Sequence, residues 1–459
     1  MKSAKKKNEI RFIDLFAGMG GFRVGFEEAA HSMNLSPVCV YTSEIKPSAI
    51  QFYSDNFETI QPDDITVRDP KDIPNFDVLL AGFPCQAFSS AGKREGFLDT
   101  RGTLFFDIER VLVHHKPDAF ILENVEGLVN HDKKSKADPI GQTLNTILLS
   151  LQQLDYKVTW KVLDASEFGL AQQRKRIFIV GTKQHKVSLD RFNLKKAKLA
   201  EILEHGIPLE RSKTIDLILK HYPLDRLPGK SLKDKRGGSN NIHSWDIELK
   251  GRTTKAQKQL LGELLKARRN KKWGEKKQIA WMDGMPLTLG EIRTFFDHPR
   301  LQVMLEDLVD KGYLSFEHPK DLRLISDGNT NKVARVERED LPKGFNIVAG
   351  KLSFEISKIL DPNGVTPTLV ATDLDRMMVI EGNGLRRLTI LEMLRLFGFQ
   401  DSMKVNLRRN EMVDLLGNSV PVNLVQAVAT RVLAIVTNRP SSESYIENRP
   451  HATQESLFP

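Results

Sequence analysis

One of the two cysteines in this 459-residue chain stands where a nucleophile would be presented. Cys85 follows the apolar run Val78-Leu79-Leu80-Ala81 and sits in the turn Gly82-Phe83-Pro84-Cys85-Gln86. In an open α/β sheet, ligands meet the chain at the carboxyl ends of the strands. A lone cysteine is more often a small core hydrophobe than a reactive thiol, so its surroundings have to decide. Glu123 ends another apolar run, Phe120-Ile121-Leu122, where a carboxylate without a purpose is costly. Its plainer reading is a strand-end salt bridge. Arg174 and Arg176 alternate across Lys175, so extended backbone points both to one face. There they form either a basic surface cluster or planar forks for a carboxylate or a base oxygen.

A second constellation has the form of a nucleotide-type pocket. Gly18, Gly20 and Gly21 lie between a strand-like run and a helical one, where glycine lets the backbone turn sharply and approach a ligand. Glu44 ends the next apolar run, as a carboxylate accepting hydrogen bonds from a ribose diol would. Asp64 and Ile65 follow the next helical segment and suit an adenine amino group and ring face. No Gly-x-x-x-x-Gly-Lys-Ser/Thr phosphate loop is present, which disfavours ATP hydrolysis.

The elements that must position these groups alternate. Strands are expected at 11–17, 38–44, 78–84, 119–125, 158–165 and 177–181, with helices at 22–32, 47–56, 103–114 and 143–154. This is the signature of an α/β fold with a doubly wound, mostly parallel sheet. After Thr182 the rhythm breaks, and turn signals recur at Gly229, Gly237-Gly238, Gly284 and Gly328. A second, smaller domain is expected there. Within it, Leu287–Phe296 opens with a Thr cap and a reciprocal Glu. A helical run at 301–311 and a strand-like 312–316 follow, which suggests a winged-helix-like part at 285–320 or an ordinary helical hairpin. Residues 385–399 and an amphipathic helix at 420–436 close the fold, leaving 438–459 as a polar tail.

Charge is unevenly spread. Residues 195–280 hold 22 Lys and Arg against 10 Asp and Glu, a local +12 in a chain of net +9. A local excess of this kind is the footprint of a polyanion, and Arg268-Arg269-Asn270-Lys271-Lys272-Trp273 sets an aromatic beside the cations. Two cysteines without metal-type spacing imply no disulfide framework and a reducing cytosol. No uninterrupted apolar stretch approaches the roughly 20 residues of a membrane span.

Five motifs occur in order: Phe16-Ala17-Gly18-Met19-Gly20-Gly21-Phe22, Pro84-Cys85-Gln86, Glu123-Asn124-Val125, Gln172-Gln173-Arg174-Lys175-Arg176 and Gly417-Asn418-Ser419-Val420-Pro421. The set resembles the DNA (cytosine-5)-methyltransferases of prokaryotic restriction-modification systems, over about 11–182 and 364–436. The resemblance implies S-adenosylmethionine as cofactor. Phe16 would pack on its adenine or sulfonium side and Glu44 would bind the ribose. Asp64 and Ile65 would flank the base, Gly82 and Phe83 would line the far wall, and Asn418, Ser419 and Val420 would complete the pocket. Where the family often has an aromatic after the ribose-binding acid, this chain has Ile45; it can still pack on a purine face.

For the reaction, the resemblance implies that Cys85 adds to C6 of a flipped-out cytosine, which makes C5 nucleophilic toward a methylsulfonium. Glu123 would hold the N3 and N4 edge, with Arg174 and Arg176 on the base O2 and on Glu123. Gln86, Ser89, Lys93 and Arg94 follow the nucleophile in a polar, basic stretch suited to DNA. Specificity would belong to the segment after the Gln172–Arg176 motif. There Arg236 and Asn240 could reach base edges, and Thr368 would lie near the backbone. The domains expected are a catalytic and cofactor-binding part at 1–188, a target-recognition part at 189–409 and a return segment at 410–437. The 285–320 part could instead serve a partner or regulation. The expected partner is double-stranded DNA, with a possible cognate restriction endonuclease in no stable complex, no membrane and a monomeric state. The setting would be a nucleoid-associated cytoplasmic one. Two other readings are a tRNA cytosine-5 methyltransferase, whose Cys-Phe-Thr tripeptide is absent here, and a non-catalytic DNA-binding regulator, which an intact Cys85, Glu123 and Arg176 argue against.

Overall fold

The computed structural model describes residues 8–83, 104–135, 137–280, 284–326, 331–348 and 354–439. Cys85, Gln86, Ser89, Lys93 and Arg94 lie outside them, as does the tail from residue 440. Two compact units are formed. The first comprises residues up to Glu204, Pro362–Asp375 and everything from Leu388; the second is His205–Asp361 with Arg376–Arg387.

In the first unit β1 (Glu9–Leu15), β2 (Ser36–Ser43), β3 (Val78–Gly82), β4 (Ala119–Val125), β5 (Lys157–Asp164) and β6 (Lys175–Thr182) form one sheet in the order β2-β1-β3-β4-β6-β5. All neighbours from β2 to β4 are parallel, and β6 runs antiparallel to both β4 and β5. The inner strands are apolar on both faces because both faces are covered. Ile10, Phe12, Ile121 and Phe178 pack with α1 (Gly21–Ser32) on one side. On the other, Ile13, Leu79, Phe120 and Ile179 pack with α3 (Leu104–His115) and α4 (Gln142–Gln153). A further helix, α2 (Pro47–Asn56), follows β2 with Pro47 in its first turn. The chain leaves β1 toward β2 on one side and β3 lies on the other. The crevice past the ends of β1 and β3 is therefore the topological switch point, where such sheets take their ligands.

The second unit contains α5 (Lys213–His221), β7 (Ser231–Leu232), β8 (Asn241–Ile242), α6 (Lys255–Ala267), α7 (Lys271–Lys277), α8 (Leu289–Arg293) and α9 (Leu301–Asp310). These are followed by β9 (Leu314–Glu317), β10 (Lys320–Ser326), β11 (Asn331–Glu337), β12 (Gly344–Ile347), β13 (Lys358–Ile359), β14 (Met377–Glu381) and β15 (Gly384–Arg387). Leu287 bridges to Phe345 of β12, which pairs with β9. Helix α6, the Leu287 bridge, α8, α9, β9, the β10–β11 hairpin and β12 follow one another in the order of a winged helix. Apart from the β10–β11 hairpin, these elements share one core with Trp245, Leu264, Trp273 and Leu305. The elements packed around this core run from α6 to β12 and so extend beyond 285–320 on both sides. A second core, with Ile242, Ile359 and Met378, lies under the sheet β15-β14-β13-β7-β8.

The basic run read from the sequence is partly internal. Trp273 is buried, with its Nε1 donating to the Ala267 carbonyl, and is not a stacking platform. Arg268 is buried against Asn346, and Lys277 lies between the Pro286 carbonyl and Glu291.

The boundaries at 188 and 409 also move. Val187 and Leu189 belong to the first unit's core, and Leu199 and Ala200 donate to the carbonyls of Gly364 and Pro362. The return is made in two passes: α10 (Ala371–Leu374), then α11 (Ile390–Phe397), α12 (Arg409–Asn418) and α13 (Val422–Thr437). The regular stretch 385–399 is thus split between β15 of the second unit and α11 of the first. The tail begins later than 438, since Arg439 donates to Met33 O and Asn8 Oδ1. By composition α12–α13 is long and apolar enough to cross a membrane, but most of it is buried inside the protein.

Helix α13 closes on α1 at Gly25, where a Cβ would stand 2.7 Å from both Val422 O and Val425 Cβ. In an open helix, Gly→Ala stabilises by roughly 0.5–1 kcal/mol. Here overpacking of about 1–3 kcal/mol outweighs that gain, so Gly25→Ala is expected to lower the urea midpoint.

Candidate active site

Strand β1 delivers the chain into a loop of unusual backbone. Phe16, Gly18 and Gly20 take φ of 57°, 55° and 77°, a region glycine enters at little cost. Glu44 at the end of β2 knits this loop together. Its Oε2 accepts from Gly18 N and its Oε1 from Ile45 N and Lys46 N, all at 2.8 Å. A carboxylate offers about four acceptor sites, so capacity remains for a diol. Gly21 is packed from behind. A Cβ there would meet Val420 Cγ1 at 3.0 Å and Ser419 Oγ at 3.2 Å, which brings Ser419 and Val420 to the glycine loop. Asn418 is exposed and donates to Asp414 O at 2.8 Å, and Asp414 itself ion-pairs with Lys46.

Asp64 is exposed, with Oδ1 accepting from Thr66 N and Oγ1. Ile45 beside Glu44 stands 63% exposed, free to cover an apolar ring. The Ile65 side chain differs from expectation: it is 2% exposed and sits in the core with Phe76 and Phe105. It anchors the segment that carries Asp64 and offers no surface to a base. Phe83 is buried beside Phe105.

Sequence reasoning missed Asp14. It is fully buried in β1, and neither carboxyl oxygen has a hydrogen-bond partner among the described residues. Burial pushes its carboxyl up to about 8; Arg23 opposes this, and Glu44, Glu27 and Glu58 add to it. Its position two residues before Phe16 was the available signal. A glycine loop beside a Glu44 carboxylate with open acceptor capacity fits a small ligand bearing diol donors, as S-adenosylmethionine does.

At the neighbouring strand ends, Glu123 lies in register with Gly82. Its Oε1 accepts from Arg176 Nε at 2.8 Å, and both side chains are 11% exposed. Arg176 pairs in register with Val125, so it reaches Glu123 diagonally across the β4–β6 ladder. Burial raises the Glu123 carboxyl above its ordinary value despite Arg176 and Arg174. Asn124, on the opposite face, donates to the Phe83 carbonyl at 3.2 Å. It thereby fixes the residue from which the chain proceeds to Pro84 and Cys85. The other thiol, Cys39, is partly buried against Thr42 and Tyr41, and burial pushes it up to about 11.

Arg174 departs from the sequence expectation. It is 1% exposed, and its Nη atoms donate to the carbonyls of Leu369, Gly417 and Ser419 at 2.7, 2.9 and 2.8 Å. Its guanidinium stacks on Phe397, 4.9 Å from the ring centroid. It holds the return segments, and its charge favours the ionised form of Glu123. Thr368 Oγ1 donates to Gln173 O at 2.7 Å, with Gln173 N donating to Thr366 O. Arg236 and Asn240 are exposed in the second unit.

A sheet of this order, with one antiparallel strand and its ligand groups at the β1–β3 crevice, is that of the S-adenosylmethionine-dependent methyltransferases. Within that class, the family model for C-5 cytosine-specific DNA methylase matches residues 10–434, and the chain belongs to this family. It is a DNA cytosine-5 methyltransferase that uses S-adenosylmethionine. The Type II methyltransferase M.NlaIV of Neisseria lactamica is 54% identical over 428 residues, which cover 93% of this chain and 99% of the relative. M.NgoBV of Neisseria gonorrhoeae is 53% identical with the same coverage. M.BanI of Aneurinibacillus aneurinilyticus is 39% identical over 92% of this chain and 95% of its own. Coverage this complete means the likeness takes in the second unit as well as the cofactor loop.

Two outcomes follow from the site's burial. Lysine cannot reproduce three carbonyl contacts from a planar fork, so Arg174→Lys is expected to cost roughly 2–4 kcal/mol in denaturant unfolding. For Asp14, the carboxyl is neutral in both folded and unfolded states below about pH 4. As pH rises toward about 8 only the unfolded state ionises, so stability declines through that window and levels off above it. Asp14→Asn stays neutral throughout, and unfolding midpoints measured across the window should show the variant losing this decline.

Proposed function

We propose that the protein is the modification enzyme of a Type II restriction-modification pair, methylating C5 of one cytosine within a short duplex sequence. The observation that carries the chemical reading is the Glu123–Arg176 pair, held beside Gly82 at the strand end that leads to Cys85. S-adenosylmethionine supplies the methyl group on an electrophilic sulfonium. Phe16, Gly18, Glu44, Ile45, Asp64 and Ser419 would hold it.

Cytosine C5 is a weak nucleophile until C6 is saturated. The Cys85 thiolate forms a bond to C6, and the electron pair pushed into the ring makes C5 enamine-like. A neutral Glu123 carboxyl suits the cytosine edge: its O–H donates to N3 and its carbonyl oxygen accepts from the N4 amino group. Burial holds Glu123 toward that neutral form, and the bond from Arg176 fixes which oxygen is which. Once C5 is methylated, its proton leaves to water and the Cys85–C6 bond breaks, restoring the aromatic ring. The target base reaches such a site only when flipped out of the helix.

Gln86, Ser89, Lys93, Arg94 and Thr368 serve the DNA backbone in this reading, and the second unit reads the sequence through Arg236 and Asn240. The enzyme works as a monomer on double-stranded DNA at the nucleoid. Its cognate endonuclease shares the recognition sequence without a stable complex.

The test is base-resolution methylation mapping of unmethylated genomic DNA incubated with the protein and S-adenosylmethionine. 5-Methylcytosine confined to one short motif is the expected result. Methylation without sequence preference, or methylation of tRNA alone, would count against the reading. Cys85→Ser should abolish transfer with cofactor affinity intact, and Glu123→Gln should slow it by about 10²–10⁴-fold.

A further inference from the structure

The helical order α6, α8, α9 invites the assumption that the last of the three, α9, reads DNA. Its charges argue otherwise. The exposed side of α9 carries Glu306 and Asp310 beside Val309 and the half-exposed Phe316. Phosphates would be repelled by Glu306 and Asp310, so a duplex-facing surface is sought away from this side of α9.

The sheet of the second unit supplies one. Leu232, Ile242 and Ile359 point into the core, so by alternation Ser231, Lys233, Asn241 and Lys358 occupy the opposite face. Lys358 is in register with Ser231, which places Lys233 diagonally across the β13–β7 pair. Lys233 is exposed and Lys358 half-buried, and neither has an ion-pair or hydrogen-bond partner among the described residues. Burial and the nearby Lys233 hold the Lys358 ammonium below its ordinary value. Two crowded cations without a counter-ion are a place for a polyanion.

The loop beside them is built rather than slack. Asn241 Nδ2 donates to the carbonyls of Arg236 and Gly237 at 3.0 and 2.8 Å. Lys230 Nζ donates to Ser239 O at 2.5 Å. The His243 ring bridges Asp246 Oδ2 and Arg236 O while lying flat on Trp245 at 4.5 Å. Below, the buried Asp234 accepts from Ser244 N and Oγ. The loop backbone is spoken for, while Arg236 and Asn240 extend from it.

We propose that Lys233 and Lys358 form a backbone-phosphate clamp on the open face of the β13-β7-β8 sheet, setting the register in which the 235–240 loop meets base edges. This rests on the reading of the protein as a duplex-DNA methyltransferase. Phosphate contacts position a protein and base contacts specify; a clamp one strand away from a rigid loop divides the work in that way.

The test is the salt dependence of duplex binding by the full chain, using a duplex with the mapped methylation motif. The Lys233→Gln/Lys358→Gln variant should lower the slope of log K against log salt by about 1.8, which is 0.9 for each phosphate released. Its thermal midpoint and S-adenosylmethionine affinity should match the parent. Lys266→Gln/Lys271→Gln, which removes two exposed cations from α6 and α7, should leave the slope unchanged. An unchanged slope in the first variant, or an equal fall in the second, overturns the clamp. A parent protein that binds no duplex would instead overturn the methyltransferase reading, and the clamp with it.

Discussion

The catalytic unit is assembled from pieces that the chain order separates, and the buried Arg174 guanidinium is what closes it. Three carbonyls reached by this one side chain lie 195 to 245 residues further along the sequence. Each would otherwise be a buried acceptor wanting a donor, at roughly 1–3 kcal/mol apiece. Two of them, Gly417 O and Ser419 O, belong to the segment that backs Gly21 in the cofactor loop. One cation therefore ties the strand carrying Arg176 to the wall of the cofactor site. Gln172 adds to the closure by donating to Leu396 O.

From that closure the chemistry follows as geometry of one sheet edge. The ends of β1 and β3 border the switch-point crevice, and β4 is the next strand over. The glycine loop after β1, Gly82 at the end of β3 and Glu123 near the end of β4 are thus consecutive along the edge rather than gathered by long excursions. Asn124 and Glu123 divide their labour by facing opposite ways: one secures Phe83, the other meets Arg176. The buried ion pair is weak support for stability, since desolvation offsets most of its attraction. Its worth is in orientation. In the proposed role, Glu123 would present its O–H to one ring atom and its carbonyl oxygen to another group, and the Arg176 contact at Oε1 makes its two oxygens unlike.

Much of this was legible in the sequence where chemistry is set by local position. Strand ends, the glycine turn and the carboxylates Glu44 and Glu123 follow from apolar runs and what interrupts them, and the doubly wound sheet follows from their alternation. What escaped was set by distant partners. Arg174 and Arg176 look equivalent two residues apart, yet carbonyls from far along the chain claim one of them. Trp273 in a lysine-rich run reads as an exposed aromatic, because the core that swallows it is built from segments before and after. Ile65 next to Asp64 carries no sign of which way its side chain turns. The alternation of 362–375, 376–387 and 388 onward between the two units is invisible to composition, since the first two pieces are barely longer than one or two elements.

The central claim is that Cys85 bonds to the target cytosine in a site made ready by Glu123 and Arg176. Fluorine at C5 tests it directly, because a methylated C5 without a proton cannot expel the thiol. The protein would be incubated with S-adenosylmethionine and a duplex pool carrying 5-fluorocytosine, then denatured, digested and examined by mass spectrometry. The account predicts a denaturation-resistant adduct on the Cys85 peptide that requires the cofactor. No adduct from a preparation that methylates ordinary DNA, or an adduct on Cys39, would contradict it.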